Sequence, residues 1–235
     1  ISIAYGYALD QKTLWLETDG EFGANVVATN SSFGIDYADC TSGNYPIWND
    51  LYNAMGEVGI LSAAATINSN QNVDVIGDVP TGCDSDYIIS VTNTNDDDEK
   101  ANSGYGAVTI DLGAPGTQIL STANNGGTTT LSGTSMATPH VAGAVGLLHA
   151  AASAELAQLY LTNPGETALI IKQAMLDNVD SLSALDGITV SGGRLNLYSA
   201  VLAVLGSPEY PNISVDVDSI DLSTGSGGQA EDSFN

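Results

Sequence analysis

The sequence predicts an α/β fold, in which helices cover both faces of a twisted parallel sheet. Segments with strand character alternate along the chain with segments whose apolar residues have helical spacing. The strand segments are continuous apolar runs, which is typical of strands buried on both faces. The chain opens on "ISIAYGYAL", which resembles the interior of an element.

The first half of the chain supplies most of the predicted strands. A β-branched run at residues 25–29 is followed by "PIWNDLYNAMGEVG", which has a proline near its start, helical apolar spacing and a final glycine. Three further strands are predicted at "GILSAAA", "YIISVTN" and "AVTIDLGAPG". The segment "TINSNQNVDVIGDVPTGCDSD", between the first two of these, is predicted to be a polar loop.

The second half is predicted to be mainly helical. One helix follows Ser135, another lies in "NPGETALIIKQAMLDNV", and "GGRLNLYSAVLAVLG" predicts a turn and a last helix of about ten residues. From Ser207 the composition changes. Residues 207–235 are therefore interpreted as an acidic linker containing Gly and Ser, or as the start of a further β domain.

Composition excludes several classes of function. The net charge is −24, from 28 acidic and four basic residues, which is the wrong sign for binding nucleic acid or an anionic membrane surface. No apolar run reaches the roughly 20 residues that a membrane helix needs. An acidic surface of this kind suits a salty or extracellular setting, where salt screens self-repulsion.

The two cysteines, Cys40 and Cys83, are too far apart in sequence for a CxxC motif. In an oxidising compartment they would form one disulfide, and otherwise they would be small core side chains. Spacing alone does not decide between the two.

The stretch "LSGTSMATPHVAGAVGLL" places Ser135 in a glycine-containing turn at the start of an apolar helix. A helix start offers free backbone N–H groups and a favourable dipole for developing negative charge. Gly133 allows a substrate backbone to approach closely. Pro139 lacks the N–H that would bond the Ser135 carbonyl in a regular helix. An isolated "GTS" is usually only a helix N-cap, and a nucleophilic serine also needs a base and an oriented partner for that base.

The whole string "GTSMATPHVAGAVGLL" resembles the nucleophile motif of the subtilisin-like serine peptidases, the subtilases. The resemblance implies a serine endopeptidase with Ser135 as nucleophile. It also makes His140 a motif histidine and not the base. "SAAATIN" is similar to the strand that ends in the oxyanion asparagine of the family, which implies that Asn68 donates to the oxyanion.

Other segments resemble subtilases in the same order. In "ATNSSFG", Ser32, Phe33 and Gly34 match the family segment that pairs with an extended substrate backbone. "GAPG" and "GGRLNLYSAV" match later landmarks, so the resemblance spans roughly residues 25–204. It implies that residues 1–206 are the C-terminal portion of a peptidase domain, acting on a protein or peptide substrate outside the cell. The sheet is then expected to be incomplete at its N-terminal side.

Two positions depart from the family pattern. Ile67 stands directly before Asn68, where the family usually has glycine at the wall of the pocket for the residue preceding the cut bond. A branched side chain there predicts a narrowed pocket and a preference for small residues before the cut. Ser132 stands where many members have asparagine.

Neither of the other two members of a catalytic triad is identified in this chain. Both histidines, His140 and His149, follow Ser135 on the same predicted helix, where neither is placed to act as its base. His149 is predicted to cap or cover the C-terminal end of that helix, where a cation is favoured. The early acids Asp10, Asp19 and Asp36 lack the sequence context of the catalytic aspartate, and none is assigned.

Three accounts of the missing base stay open. The Asp and His belong to an upstream part of the same polypeptide, or the base arrives on another chain, or the chain is a non-catalytic scaffold or surface-binding module. The intact serine motif favours the first account.

The chemistry requires no cofactor. Subtilases often hold structural calcium, so calcium is expected as an option, but its ligands are not identified from the sequence. Oxygen donors are plentiful in several acidic stretches, without any sign that they converge on one site: Asp74, Asp78, Asp84, Asp86 and residues 96–99.

Overall fold

The structure is a computed structural model that describes residues 1–40, 45–124 and 126–206. Its helices are α1 (Ser2–Glu17), α2 (Pro46–Glu57), α3 (Val73–Ile76), α4 (Thr134–Ala151), α5 (Ala154–Thr162), α6 (Pro164–Leu176) and α7 (Leu197–Val204). Its strands are β1 (Ala28–Ser31), β2 (Ile35–Asp36), β3 (Leu61–Ala65), β4 (Asp78–Val79), β5 (Ile88–Thr94), β6 (Leu112–Pro115), β7 (Ile119–Thr122), β8 (Thr128–Leu131), β9 (Asp180–Ser181) and β10 (Gly193–Arg194). The interpretation of residues 207–235 as a linker or β domain lies outside the described residues.

A six-stranded sheet in the order β1-β3-β5-β6-β10-β9 forms the centre of the molecule. The first five strands in this order run parallel, and only β9 is antiparallel to its neighbour β10. Every residue of β3 and β5 is buried, as their continuous apolar runs predict. Within the described residues, β1 stands at one edge of this sheet.

Helices cover both faces of the sheet, as predicted. On one face α4, α6 and α7 pack against alternate residues of β3 and β5, among them Leu61, Ala63 and Ile89. On the other face α1 and α2 pack around Ala64 and Ile88. Neighbouring positions of one strand point to opposite faces, which is why both sides of each run must be apolar. The α/β fold with a mostly parallel sheet is therefore confirmed.

Short elements depart from the sequence prediction. The predicted polar loop contains α3, which Asn72 caps by accepting from the Asp74 N–H, and the two-residue strand β4. The strand predicted at "AVTIDLGAPG" is shorter than expected and occupies only β6. The segment after α4 contains a separate helix, α5, whose N-cap is Ser153. No described helix has both the length and the apolar character needed to cross a membrane.

A disulfide links the two segments that form a second, two-stranded sheet. Strands β2 and β4 pair antiparallel, with Asp36 opposite Asp78. A few residues beyond each strand, Cys40 and Cys83 form a disulfide with a Cα–Cα distance of 5.0 Å. The structure thus settles the alternative that the spacing left open, in favour of pairing.

Candidate active site

Ser135 is the second residue of α4 and is half-buried. The Thr134 N–H donates to Asn68, and the Met136 and Ala137 N–H groups donate to the Gly133 carbonyl. Within the described residues the Ser135 N–H has no acceptor. This amide is one of the free donors of a helix start, so it is available to an oxyanion beside the Ser135 hydroxyl.

The carbonyl of Ser135 is bonded from outside its helix. Pro139 lies inside α4, four residues on, and has no N–H to donate to it. The Ser32 hydroxyl donates to this carbonyl instead, at 2.9 Å. The Asn30 amide in turn donates to the Ser32 hydroxyl oxygen, at 2.9 Å. The segment after β1 is therefore tied to the start of α4 at the serine itself.

Asn68 follows β3 and reaches the same helix start. Its Oδ1 accepts from the Thr134 N–H at 2.9 Å. The Thr134 Oγ1 lies 2.6 Å from the Thr66 carbonyl oxygen and 3.1 Å from Asn68 Oδ1, and its single proton can be donated to either. Because Oδ1 is held in this way, the Nδ2 group of the exposed Asn68 side chain is left as the donor.

Gly133 permits this contact. Its φ of +152° lies in a region that other residues rarely adopt, and a Cβ at this position would stand 3.1 Å from Asn68 Oδ1. A side chain at position 133 would therefore strain the backbone and press on the amide of Asn68.

A cavity of about 310 Å³ opens beside the serine. Ser135, Asn68, Phe33, Gly34 and Ile67 line it. Ser32 donates to the Ser135 carbonyl, and Gly133 lies against the Asn68 side chain. All seven positions singled out in the sequence therefore converge on one place, although β1, β3 and α4 are far apart along the chain.

Ile67 lines the cavity, but most of its side chain is buried. Its side chain is only 5% exposed and packs in a cluster with Val73 and Ile110. It also lies against Gly104, where an added Cβ would meet the Ile67 Cγ2 at 2.9 Å. These contacts hold the side chain in place, and the preference for small residues before the cut stays a prediction.

Asp78 is a buried carboxylate at the inner end of the cavity. It is 1% exposed, and its Oδ2 accepts from the Thr66 hydroxyl at 2.8 Å, the Ile67 N–H at 2.9 Å and the Thr81 hydroxyl at 2.7 Å. Burial raises the pKa of Asp78 above its usual range, although these three hydrogen bonds lower it, and the charge of Asp36 adds to the rise.

The sequence gives no sign of the roles of Asp78, Asp36 and Thr134. Asp78 is one of several acids in a predicted loop, and Asp36 has no motif around it. Only the pairing of β2 with β4 brings the two carboxylates together.

Neither histidine faces the cavity. His140 is exposed, and its Nδ1 lies 2.9 Å from the Met136 carbonyl, on its own helix. His149 lies near the end of α4, as predicted, but in a setting that disfavours a cation. It packs edge-on to Tyr160, with ring centroids 4.9 Å apart. Burial, followed by the charge of Lys12, lowers the pKa of His149 to about 4, so the predicted helix-end cation is not what this site favours.

The acidic residues do not gather into a metal site in the described ranges 1–40, 45–124 and 126–206. No three Asp, Glu, His or Cys side chains there lie together in an arrangement that could hold a metal ion. The sequence prediction of structural calcium stays a prediction.

Comparison with known families gives a match that spans most of the chain. The model of the Subtilase family of peptidases matches residues 6–196. Thermitase from Thermoactinomyces vulgaris is 40% identical over 114 residues, which are 48% of this chain and 36% of thermitase. Subtilisin-like protease 6 of Trichophyton schoenleinii is 45% identical over 96 residues, which are 40% of this chain and 22% of that protein. The chain thus spans about a third or less of the length of these curated relatives.

Solved structures agree with the fold. The prenylagaramide maturation protease PagA aligns with 85% of this chain and 68% of its own, at 26% identity and a TM-score of 0.61. A protease of Pseudoalteromonas arctica aligns with 76% of this chain and 51% of its own, at 24% identity and a TM-score of 0.59. The second likeness, at this identity, shows the fold alone.

Proposed function

Since the chain belongs to the subtilase family of peptidases, we propose that it supplies the nucleophile, the oxyanion donors and the substrate pocket of a serine endopeptidase. The observation that carries the proposal is the convergence of the Ser135 hydroxyl, its free N–H and the anchored Asn68 amide at the mouth of one cavity. These are the parts that acyl transfer needs around the attacked carbonyl.

The reaction would proceed by acyl transfer. The Ser135 hydroxyl attacks the peptide carbonyl, and its proton passes to a general base. The Ser135 N–H and the Asn68 Nδ2 donate to the oxyanion of the tetrahedral intermediate. The intermediate expels the amine of the leaving peptide, which takes the proton, and water then hydrolyses the acyl-enzyme to regenerate Ser135.

The general base is proposed to lie outside these 235 residues, with its orienting aspartate, in an upstream part of the same polypeptide. His140 is bonded on its own helix, and His149 lies fourteen residues beyond Ser135, which is roughly 21 Å along an α-helix. The open edge of β1 in the described sheet supports this assignment, because it offers a place for further strands. On its own, the chain should have little or no activity.

The substrate class, the location and the cofactor requirement are also proposed. The substrate is a protein or peptide, and the chemistry needs no cofactor. The acidity and the disulfide support an extracellular location, because disulfides persist in oxidising compartments. Structural calcium is retained as a proposal without assigned ligands.

Hydrolysis of an unstructured protein substrate by the natural full-length protein tests the proposal. Ser135→Ala should abolish hydrolysis, whereas the neighbouring Ser132→Ala should retain it. A natural protein that cleaves no substrate would favour the second candidate, a non-catalytic scaffold or surface-binding module. Equal activity of the Ser135→Ala variant would exclude Ser135 as the nucleophile.

A further inference from the structure

The cavity beside Ser135 has exposed outer residues and a buried inner end that contains a carboxylate. Its outer residues Asn68, Asp36 and Tyr37 are exposed, whereas Thr66 and Asp78 at its inner end are 3% and 1% exposed. Its volume of about 310 Å³ lies at the lower end of ligand sites, which suits a single side chain of a bound peptide.

In the described part of the chain, the carboxylate of Asp78 is bonded through one oxygen. The three donors there all reach Oδ2, and all three are neutral groups. Its other oxygen, Oδ1, lies on the side of Gly34, 3.7 Å from the place where a Cβ of that residue would stand. Gly34 has no side chain that would cover this oxygen from that side.

Among the described residues, no cation lines the cavity to neutralise Asp78. The whole sequence has four basic residues, and in the described part of the chain none of them lines the cavity: Lys12, Lys100, Lys172 and Arg194. Each has partners elsewhere, such as Tyr160 for Lys12, the Ser103 carbonyl for Lys100, Asp111 for Lys172 and Asp180 for Arg194. Asp36, opposite Asp78 in the β2–β4 pair, adds a second negative charge.

An unpaired buried carboxylate is costly, and a cation that arrives with the substrate relieves that cost. Burial raises the pKa of Asp78 for the same reason, because it disfavours the charged form of the carboxyl group. The apolar wall formed by Phe33 and Ala65 suits the aliphatic stem of a long basic side chain, which can lie along it while its charged end reaches inward.

We propose that this cavity binds a lysine or arginine side chain, with Asp78 as its charge partner, so that the peptidase cuts after basic residues. The inference rests on the proposed function, since only a peptidase would place a substrate side chain there. It replaces the preference for small residues that Ile67 suggests from the sequence. A guanidinium group and an ammonium group can each donate to the Oδ1 oxygen of this carboxylate.

The test compares peptides that differ only in the residue before the cut, using the natural full-length protein. Lysine and norleucine have side chains of similar length, so their ratio of kcat/KM isolates the charge. We expect lysine and arginine to exceed norleucine by about 30-fold or more, as for a buried charge pair. Equal or faster cleavage after norleucine, alanine or phenylalanine would overturn the inference while leaving the peptidase assignment intact.

Asp78→Asn identifies the residue responsible. An asparagine can keep an oxygen on the Thr66, Ile67 and Thr81 donors while losing the charge. The lysine-to-norleucine ratio should collapse in this variant. Asp74→Asn is the matched control, because Asp74 also anchors backbone N–H groups, those of Val108 and Thr109, but lies outside the cavity. An unchanged ratio in Asp78→Asn would contradict the assignment.

A binding measurement separates this inference from the proposed function. If the natural protein cleaves no peptide, the peptidase proposal fails, and the affinity of p-aminobenzamidine, a cationic fluorescent probe, is measured in the wild type and in both variants. Binding that is lost in Asp78→Asn and kept in Asp74→Asn supports a cation pocket. Absence of binding in the wild type, or equal binding in Asp78→Asn, overturns it.

Discussion

At the scale of single residues, the start of α4 depends on hydrogen bonds that arrive from other segments. The Ser32 hydroxyl substitutes for the N–H that Pro139 lacks, and the Thr134 N–H fixes the oxygen of Asn68. The chemical groups around Ser135 are therefore positioned by residues that lie about 65 to 105 positions earlier in the chain.

The oxyanion role of Asn68 gives the first prediction. Asn68→Asp should still accept from the Thr134 N–H, but it has no N–H to donate, so kcat of the natural protein should fall by roughly 100- to 1,000-fold. Asn70→Asp is the control, because Asn70 is a nearby exposed asparagine whose Oδ1 accepts from Lys100. A kcat that is equally reduced in both variants would point to the added charge and not to the donor.

The link between Ser32 and Ser135 gives the second prediction. Ser32→Ala should lower the free energy of unfolding by about 1 kcal/mol, because the Ser135 carbonyl loses its donor. In a Pro139→Ala background, the new N–H of residue 139 can serve this carbonyl, so the same substitution should cost much less. A double-mutant cycle from chemical denaturation measures the difference. Equal costs in both backgrounds would show that the two donors do not replace each other.

The sequence was most informative for Ser135 and Asn68, because each lies in a contiguous motif that includes the element positioning it. Asp78 could not be predicted as part of the site. Its position beside Asp36 depends on pairing between two-residue strands that are 42 positions apart, and such strands have no periodicity to detect. The orientation of Ile67 likewise depends on contacts with Val73 and Ile110, which no local pattern shows.

At the scale of elements, the walls of the cavity are held by β2, β4 and the disulfide beyond them. Asp36 and Asp78 lie on the paired strands, and Cys40 and Cys83 close the two segments a few residues later. The buried strands β3 and β5 and the long helix α4 follow from their apolar runs. The short elements α3, β4 and β10 do not, because a pattern of two to four residues is too short to identify.

The disulfide gives the third prediction. Replacing both cysteines with alanine should lower the free energy of unfolding by about 2–4 kcal/mol, since the crosslink restricts the unfolded chain. Without the disulfide, β2 and β4 are held together less firmly, and these strands carry residues of the cavity wall. KM for peptides should therefore rise more than kcat falls. Chemical denaturation and steady-state kinetics on the natural protein measure the two effects. Unchanged KM together with lowered stability would mean that the disulfide does not shape the cavity.

At the scale of the whole molecule, the buried groups Lys12 and His149 contribute to the response of stability to pH. Lys12 is buried against Tyr160 and Trp15, and burial lowers the pKa of Lys12 to about 8. His149 contacts the same group of side chains, and its Nε2 has no partner in the described part of the chain. Charging His149 in the folded state is therefore unfavourable.

This setting gives the fourth prediction. The pKa of His149 falls from an ordinary 6.5 to about 4 on folding, so between these values the unfolded chain binds more protons. Stability should be fully present above pH 6.5 and should decline as the pH falls towards 4. His149→Phe keeps a ring against Tyr160 and should remove on the order of 2 kcal/mol of this decline.

Comparing the wild type with His149→Phe separates the effect of the histidine on stability from that of acidic groups with the opposite pH dependence. Burial raises the pKa of Asp78 and of Asp111, so their contribution has the opposite sign and is lost as the pH rises through their folded pKa values. Both proteins carry these acids, and their effect cancels in the difference. Parallel stability curves for the wild type and His149→Phe over this range would contradict the prediction.

The central claim is that Ser135 becomes a nucleophile only with a base from outside these 235 residues. Labelling with a fluorophosphonate, which reacts with activated serines, followed by peptide mass mapping, tests this claim most directly. We expect the label on Ser135 in the natural full-length protein and little or no label on the same residue in the isolated chain. An unlabelled Ser135 in the full-length protein, or equally fast labelling of the isolated chain, would contradict the account.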